Sequence, residues 1–295
     1  MKNTIFTGAG IAIVTPINND GSINFECLGE MIDYQIESGT DAIIICGTTG
    51  EASTMSDAEH LECIKFAVER TAKRVPVIAG TGSNDTAYAV ELSKEAQELG
   101  ADALLVVTPY YNKTTQRGLV AHFTAIADAV DIPIILYNIP GRTGINIDVA
   151  TVKTLGQHKN IVAVKEASGN ISYVAKLIAE CGDLVDVYSG NDDMIVPIMS
   201  LGGKGVISVL SHIIPKETHE MAEYCLKNDF EKASKIQIEY LDLINAIFIE
   251  VNPIPVKEAL NIMGKNVGPC RMPLYPMSDE NRAKLEAVLK KHNLA

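Results

Sequence analysis

The sequence predicts an α/β protein in which eight strand-and-helix units close into a (β/α)8 barrel, or TIM barrel, followed by a C-terminal helical extension. Three observations support this fold class. Short apolar runs recur along the chain, spaced by roughly 20 to 35 residues, the length of one strand plus one helix. The segments between these runs show helical periodicity. After Ser208 the strand signal ends, and only helical patterns follow.

The runs predicted as strands are rich in small and β-branched apolar residues, which suits strands buried on both faces. They span residues 10–15, 42–46, 75–79, 103–107, 132–137, 161–165, 184–189 and 205–208. Eight such units favour a closed barrel. An open, doubly wound sheet of six or seven strands is the alternative.

Start and stop signals fall between these strands. Ser56 followed by Glu59 has the spacing of a capping box at the start of the second helix, and Asp85 precedes the third. Gly39 and Gly100 follow helical stretches, where glycine tolerates the left-handed conformation of a helix end.

Four helices without intervening strands are predicted after the eighth strand. They cover residues 215–228, 229–250, 253–263 and 278–293. The first completes the barrel, so we expect a catalytic barrel over residues 1–228 and an appended three-helix region over residues 229–295.

The sixth strand ends in an unusual way for a buried strand. Ile161-Val162-Ala163-Val164 is followed directly by Lys165. Burying an ammonium group is costly, which lowers the pKa of the amine and frees it as a nucleophile for carbonyl carbons. The alternative is a strand-end lysine that reaches solvent or pairs with Glu166.

In a barrel enzyme the chemistry gathers where the strands end. The other strand ends supply threonine hydroxyls, phenols and a guanidinium, among them Thr48, Thr49, Tyr137 and Arg142. They supply no cluster of histidines and carboxylates, so we expect no metal site and no cofactor. The set favours a Schiff base between Lys165 and a ketone.

Each neighbour of Lys165 has a role in that chemistry. Tyr137 ends the adjacent strand and can shuttle protons during dehydration. The stretch containing Thr48 and Thr49 offers hydroxyls and backbone N–H groups to a carboxylate beside the ketone. Arg142 offers a planar fork for a second carboxylate.

Composition excludes several function classes. The net charge is −12, with 47% hydrophobic and 21% charged residues, which argues against nucleic acid and anionic membranes as partners. The six cysteines show no metal-ligand spacing, and free buried thiols suit a reducing compartment. No signal peptide or long apolar run is evident. We therefore expect a soluble, cytoplasmic protein.

Four motifs follow one another along the chain: Gly47-Thr48-Thr49-Gly50-Glu51, Tyr110-Tyr111-Asn112, Tyr137-Asn138-Ile139-Pro140-Gly141-Arg142-Thr143-Gly144 and Val164-Lys165-Glu166-Ala167-Ser168-Gly169. Together they resemble the dihydrodipicolinate synthase family of the pyruvate-dependent class I aldolase (N-acetylneuraminate lyase) superfamily. The similarity extends from about Gly8 to the end of the chain and includes Asn252-Pro253-Ile254-Pro255-Val256-Lys257.

The resemblance implies a reaction and an assembly. Pyruvate would form a Schiff base with the lysine and condense with L-aspartate 4-semialdehyde to 4-hydroxy-tetrahydrodipicolinate, the first committed step towards diaminopimelate and lysine. The family implies a homotetramer built as a dimer of dimers.

The resemblance also assigns residues. Lys165 would bear the Schiff base, and Tyr137, Thr49 and Tyr111 would form a proton relay, with Tyr111 reaching into the neighbouring subunit's site. Thr48 and Thr49 would hold the pyruvate carboxylate, and Arg142 the carboxylate of the semialdehyde. Two further residues, Gly190 and Ile207, would line the pocket through backbone atoms.

N-acetylneuraminate lyases share the lysine and the tyrosine of this chemistry. They are less similar, because they typically carry serine where Thr48 stands and lack an arginine matching Arg142. A sugar acceptor gives no reason for a guanidinium there, whereas a semialdehyde carboxylate does.

One departure from the family concerns regulation. Many members bind lysine as a feedback inhibitor at the dimer interface, but Ala52, Asp57 and Tyr88 stand here in place of serine, histidine and glutamate. The remaining residues of that possible effector site are His60, Asn84 and Tyr110. We predict weak or absent inhibition by lysine.

Two hypotheses from other classes remain open at this stage. A non-enzymatic barrel could bind a small anion through Arg142 and the threonines, and it would form no adduct at the lysine. An aldolase that depends on a metal or a phosphate would be inhibited by a chelator.

Overall fold

A computed structural model describes residues 4–295, which contain a closed barrel of eight parallel strands in sequence order. The strands are β1 (Gly8–Ala12), β2 (Ala42–Ile45), β3 (Val77–Gly80), β4 (Ala103–Val107), β5 (Ile134–Asn138), β6 (Ile161–Glu166), β7 (Asp186–Ser189) and β8 (Gly205–Ser208). Pairing of β1 with β8 closes the barrel. The predicted (β/α)8 fold class is confirmed.

Helices surround the barrel and continue beyond it. They are α1 (Phe25–Glu37), α2 (Asp57–Thr71), α3 (Thr86–Glu98), α4 (Gln116–Asp128), α5 (Pro140–Thr143), α6 (Val149–Leu155), α7 (Ile171–Cys181), α8 (Ile195–Ser200), α9 (Pro215–Leu226), α10 (Phe230–Glu239), α11 (Leu241–Ala246), α12 (Ile254–Ile262) and α13 (Asp279–Lys291). The predicted capping box of Ser56 and Glu59 is present, and Asp85 caps α3. None of the helices in residues 4–295 is long and apolar enough to cross a bilayer.

The first strand begins and ends earlier than predicted. The apolar run at 10–15 continues past Ala12 into buried chain, but the strand is Gly8–Ala12. Ile13 still donates its N–H to the carbonyl of Ile44, so the chain stays extended while it leaves the regular ladder. An apolar run shows which residues are buried, not which of them pair in the sheet. The prediction from hydropathy therefore placed this strand too late in the chain.

The helix predicted over residues 229–250 is wrong, because two helices, α10 and α11, meet there at Tyr240. No glycine or proline marks the break. The Tyr240 ring packs against His292, just beyond the end of α13, with ring centroids 5.0 Å apart. A tertiary contact of this kind leaves no trace in local periodicity. The division into units at residues 228 and 229 stays a prediction.

Alternation along the strands sorts side chains between two cores. A larger core fills the space between sheet and helices, and a smaller one fills the barrel interior, where Ile135, Tyr137, Ala163, Tyr188 and Ile207 belong. Because side chains alternate along a strand, Lys165 shares the interior face of β6 with Ala163. Glu166 shares the outer face with Val164.

Candidate active site

Lys165 lies inside the barrel near the carboxyl end of β6. Its register partners are Tyr137 on β5 and Tyr188 on β7, and only 6% of its surface is exposed. Gly190 follows β7, and a Cβ atom there would lie 3.2 Å from Lys165 Cε and 2.8 Å from Ala167 Cβ. The missing side chain at Gly190 therefore makes room for the lysine.

Burial lowers the pKa of the Lys165 amine to about 7. The carboxylate of Asp192 opposes this shift, and the Arg142 guanidinium adds to it. An amine with this pKa is largely unprotonated slightly above neutral pH, as a nucleophile requires. The sequence prediction of a buried lysine with a lowered pKa agrees with this geometry.

Glu166 is not the partner of Lys165. Its carboxylate accepts hydrogen bonds from Asn138 Nδ2 at 2.7 Å and from the Ser168 N–H at 2.6 Å. Burial raises the pKa of this carboxyl group in spite of those bonds. The alternative of a strand-end ion pair is therefore wrong, because the period of the strand sends the two side chains to opposite faces.

The ring of Tyr137 lies against the lysine side chain. The Lys165 Nζ atom lies 4.3 Å from the centroid of its ring. Burial raises the pKa of the phenol to about 12, while Arg142 and a hydrogen bond with the Thr48 side chain oppose the rise. The phenol is therefore protonated at neutral pH and able to donate.

The two threonines after β2 differ in position. Thr48 is exposed and contacts Tyr137 through its side chain. Thr49 is buried, and its Oγ1 accepts a hydrogen bond from Asn252 Nδ2 at 2.9 Å. The structure thus brings Thr48 to the phenol, and the assignment of Thr49 to the relay stays a prediction. The repeat of two identical residues gave no means of telling them apart.

The loop that carries the threonines is held in an uncommon backbone conformation. Cys46 and Glu51, which flank it, have φ angles of 55° and 58°. Non-glycine residues rarely adopt positive φ, and where they do the surroundings must fix them. Two residues of the C-terminal region hold the loop in place: Asn252 donates a hydrogen bond to Thr49, and Lys257 donates one to Glu51.

Arg142 lies on α5 at the mouth of the barrel. One of its nitrogens, Nη2, donates to the main-chain oxygen of Asn252 at 3.0 Å. Thr48, Tyr137 and Arg142 line a common cavity of about 520 Å³. The structure therefore brings the predicted carboxylate-binding groups to the side of the barrel where the lysine lies.

The other end of this cavity is lined by residues of the possible effector site. Four of them are Ala52, His60, Tyr88 and Tyr110. Asp57 accepts a hydrogen bond from the Tyr88 hydroxyl at 2.7 Å. His60 shares a 2.8 Å hydrogen bond with the Gly80 carbonyl, and burial lowers its pKa. The remaining member, Asn84, accepts a hydrogen bond at its carbonyl from Asn112.

Two predicted site residues need separate mention. Tyr111 follows β4 and is 91% exposed, with a φ angle of 68°, so its own chain does not enclose its side chain. Ile207 lies on β8 in the interior core, in register with Gly10.

Sequence reasoning assigned no role to Asp192, Asn252 or Lys257. Asp192 is buried beyond β7, accepts hydrogen bonds from Ser208 Oγ and two backbone N–H groups, and lies close enough to bias the charge of Lys165. Its place after a barrel strand was a usable signal. Asn252 and Lys257 lie 203 and 206 residues from their partners Thr49 and Glu51. A local sequence pattern gives no signal for contacts over such separations.

Among residues 4–295, no group of three or more histidines, cysteines, aspartates and glutamates could hold a metal ion.

The chain was compared with known families, curated proteins and solved structures. Residues 5–292 match the model of the dihydrodipicolinate synthetase family. A 4-hydroxy-tetrahydrodipicolinate synthase of Acetivibrio thermocellus is 58% identical, with all of both chains covered. The dihydrodipicolinate synthase structure from Aquifex aeolicus has a TM-score of 0.96 at 47% identity, covering 98% of this chain and 99% of its own. The Acinetobacter baumannii enzyme, solved with pyruvate, has a TM-score of 0.97 at 43% identity, covering 99% and 100%.

Proposed function

The chain belongs to the dihydrodipicolinate synthetase family, and we propose that it condenses pyruvate with L-aspartate 4-semialdehyde to 4-hydroxy-tetrahydrodipicolinate on the route to diaminopimelate and lysine. The observation that carries the proposal is the buried Lys165 amine, with its pKa near 7, in register with the protonated phenol of Tyr137. The two solved structures described above are named dihydrodipicolinate synthase, and the curated relative is named 4-hydroxy-tetrahydrodipicolinate synthase.

Lys165 begins the reaction by attacking the ketone carbon of pyruvate. Loss of one water leaves an iminium, and loss of a proton from the methyl carbon gives an enamine. The enamine carbon adds to the aldehyde of the second substrate. The amino group of that substrate then attacks the iminium carbon and displaces the lysine, so the ring closes and the free amine returns. One water is released in total.

Proton transfers in these steps require groups that can both donate and accept. We assign them to Tyr137 and Thr48, which contact one another, and to Tyr111 of a neighbouring subunit. The 91% exposure of Tyr111 supports a role outside its own chain. A shared site of this kind requires at least a dimer, and we propose the homotetramer of paired dimers that the family resemblance implies.

The two substrates each bring a carboxylate. The backbone and hydroxyls at Thr48 and Thr49, with backbone atoms at Gly190 and Ile207, surround the place for pyruvate. Arg142 keeps its fork at the cavity mouth although one nitrogen bonds to Asn252, and it is assigned to the semialdehyde carboxylate. An acceptor without a carboxylate, such as a sugar, would leave this guanidinium unused.

Borohydride reduction in the presence of pyruvate tests the proposal. We expect a stable adduct on Lys165 in peptide mass mapping, and turnover when the semialdehyde is supplied instead of borohydride. A chelator should change neither result. No adduct, or an adduct on Lys204 or Lys257, would contradict the mechanism. An adduct without turnover would contradict the acceptor.

Lysine is expected to inhibit weakly or not at all. The carboxylate of Asp57 already accepts a hydrogen bond from the Tyr88 hydroxyl, and burial lowers the pKa of His60, the histidine of this region. A lysine ammonium therefore finds no free anionic partner among these residues. Steady-state assays should give an inhibition constant above the micromolar range.

Replacing Tyr88 with glutamate is expected to strengthen lysine inhibition by about tenfold, because it frees Asp57 and adds a second carboxylate. Tyr88→Gln is the uncharged control and should change inhibition much less. A micromolar constant in the unmodified protein, or equal effects of the two variants, would contradict this account.

A further inference from the structure

Asn252 connects two parts of the site that are remote from it in sequence. Its side-chain Nδ2 donates to Thr49 Oγ1 at 2.9 Å, 203 residues away, and its main-chain oxygen accepts from Arg142 Nη2 at 3.0 Å, 110 residues away. Only 6% of the residue is exposed. The same asparagine thus touches both carboxylate-binding groups, while it contributes no atom that the reaction needs.

The rest of the Asn252 side chain is poorly satisfied. Its Oδ1 atom is buried, and no group in the described part of the chain hydrogen-bonds to it. A buried amide oxygen without a partner costs stability, so a small apolar residue would suit the packing better. The donated bond to Thr49 is the contact that explains an asparagine at this position.

We propose that Asn252 is a positioning residue: its amide holds the Thr49 hydroxyl, and with it the loop at residues 47–50, at a fixed distance from Arg142. The inference rests on the proposed function, because it assumes that this loop binds the carboxylate of pyruvate. The bond would benefit the reaction by fixing the position of the pyruvate carboxylate. A displacement of about 1 Å in a bound reactant can lower a rate about 100-fold.

The effect should be confined to one end of the loop. At the other end Glu51 is fixed independently, because Lys257 Nζ donates to its Oε1 at 2.8 Å and the Arg271 N–H donates to its Oε2 at 2.8 Å. Removing the Asn252 amide therefore frees Thr49 without releasing Glu51. The backbone contact to Arg142 does not depend on the asparagine side chain.

A double-mutant cycle tests this link, with Asn252→Ala, Thr49→Val and the two combined. We expect each single change to lower kcat/KM for pyruvate about 10- to 100-fold. The combination should be no worse than the more damaging single change within about threefold, because both remove the same hydrogen bond. The KM for the semialdehyde and the melting temperature should change little.

Asn252→Leu is the second variant, since leucine keeps a similar volume but can neither donate to the Thr49 hydroxyl nor accept from it. It should lose as much kcat/KM for pyruvate as Asn252→Ala. Asn261→Ala is the matched control: that residue also lies in the C-terminal region, but its side chain bonds to backbone atoms of Gly268 and to neither carboxylate-binding group. It should leave kcat/KM unchanged.

Multiplicative losses in the cycle, or a loss expressed mainly in the KM for the semialdehyde, would overturn the proposal. So would full kcat/KM for pyruvate in Asn252→Ala. These outcomes are separate from failure of the proposed function, which would appear as an unmodified protein that forms no pyruvate adduct at Lys165.

Discussion

Replacing Lys165 with methionine is expected to lower kcat by at least about 1,000-fold while raising the melting temperature. The activity falls because the nucleophile that forms the covalent intermediate is gone. The fold becomes more stable because the lysine is buried, with its pKa lowered to about 7, and methionine fills a similar volume without a charge to desolvate. Gains of stability at catalytic positions are a known consequence of sites built for reactivity.

The sign of the pH dependence follows from the same shift. Between the ordinary lysine value of 10.5 and about 7, the folded state binds fewer protons than the unfolded state. This group therefore destabilises the fold increasingly as the pH falls from 10.5 to about 7, and by a constant amount below that. The cost reaches the order of a few kcal/mol. Above pH 10.5 the part of the stability difference between Lys165→Met and the unmodified protein that comes from protonating the amine should vanish.

As the pH falls, the stability cost of the buried lysine rises, whereas the reactivity of its amine falls. The free amine should decline about tenfold for each pH unit below 7, and kcat/KM for pyruvate should follow it. Lys204→Met is the control, because that lysine precedes β8 and is only partly buried. Retained activity in Lys165→Met, or a lower melting temperature at pH 8, would contradict the assignment.

The fold was predictable because its signals are local and repeated. Each of the eight strands could be located from an apolar run, and caps such as Ser56 with Glu59 marked helix starts. The barrel rule then placed Lys165, Tyr137 and Arg142 at one end before any distance was known. The register of Tyr137 opposite Lys165 bears out that inference.

What the sequence could not supply are contacts that depend on the closed fold. Thr48 and Thr49 are chemically identical, and only the structure shows which one contacts Tyr137 and which one contacts Asn252. At the break between α10 and α11, Tyr240 packs against His292. In each case the deciding partner lies far away in sequence, and a local pattern cannot report it.

Lys257 is the clearest example of such a contact. Its side chain is 1% exposed, and Nζ donates to Glu51 Oε1 at 2.8 Å, to the Thr15 carbonyl at 3.1 Å and to the Pro269 carbonyl at 2.6 Å. All three ammonium hydrogens are therefore used. One buried charge joins the first two strand ends of the barrel to the C-terminal region.

Lys257→Met is expected to lower the free energy of unfolding by about 3–5 kcal/mol, because it leaves the Glu51 carboxylate buried without its counter-ion. Denaturant unfolding at pH 7 measures this change. The exposed pair of Lys235 and Glu231, also 2.8 Å apart, provides the control: Lys235→Met should cost less than about 1 kcal/mol. Equal losses in the two variants would show that burial adds nothing to the pair.

The double variant Lys257→Met with Glu51→Gln separates a missing attraction from a stranded charge. If the loss in Lys257→Met comes from the unpaired carboxylate, removing that charge should recover part of the stability, since a neutral amide is far cheaper to bury than an ion. The amide can still accept the Arg271 N–H that now bonds to Glu51. No recovery would mean that the three bonds made by Lys257, rather than the charge they balance, hold this end of the loop.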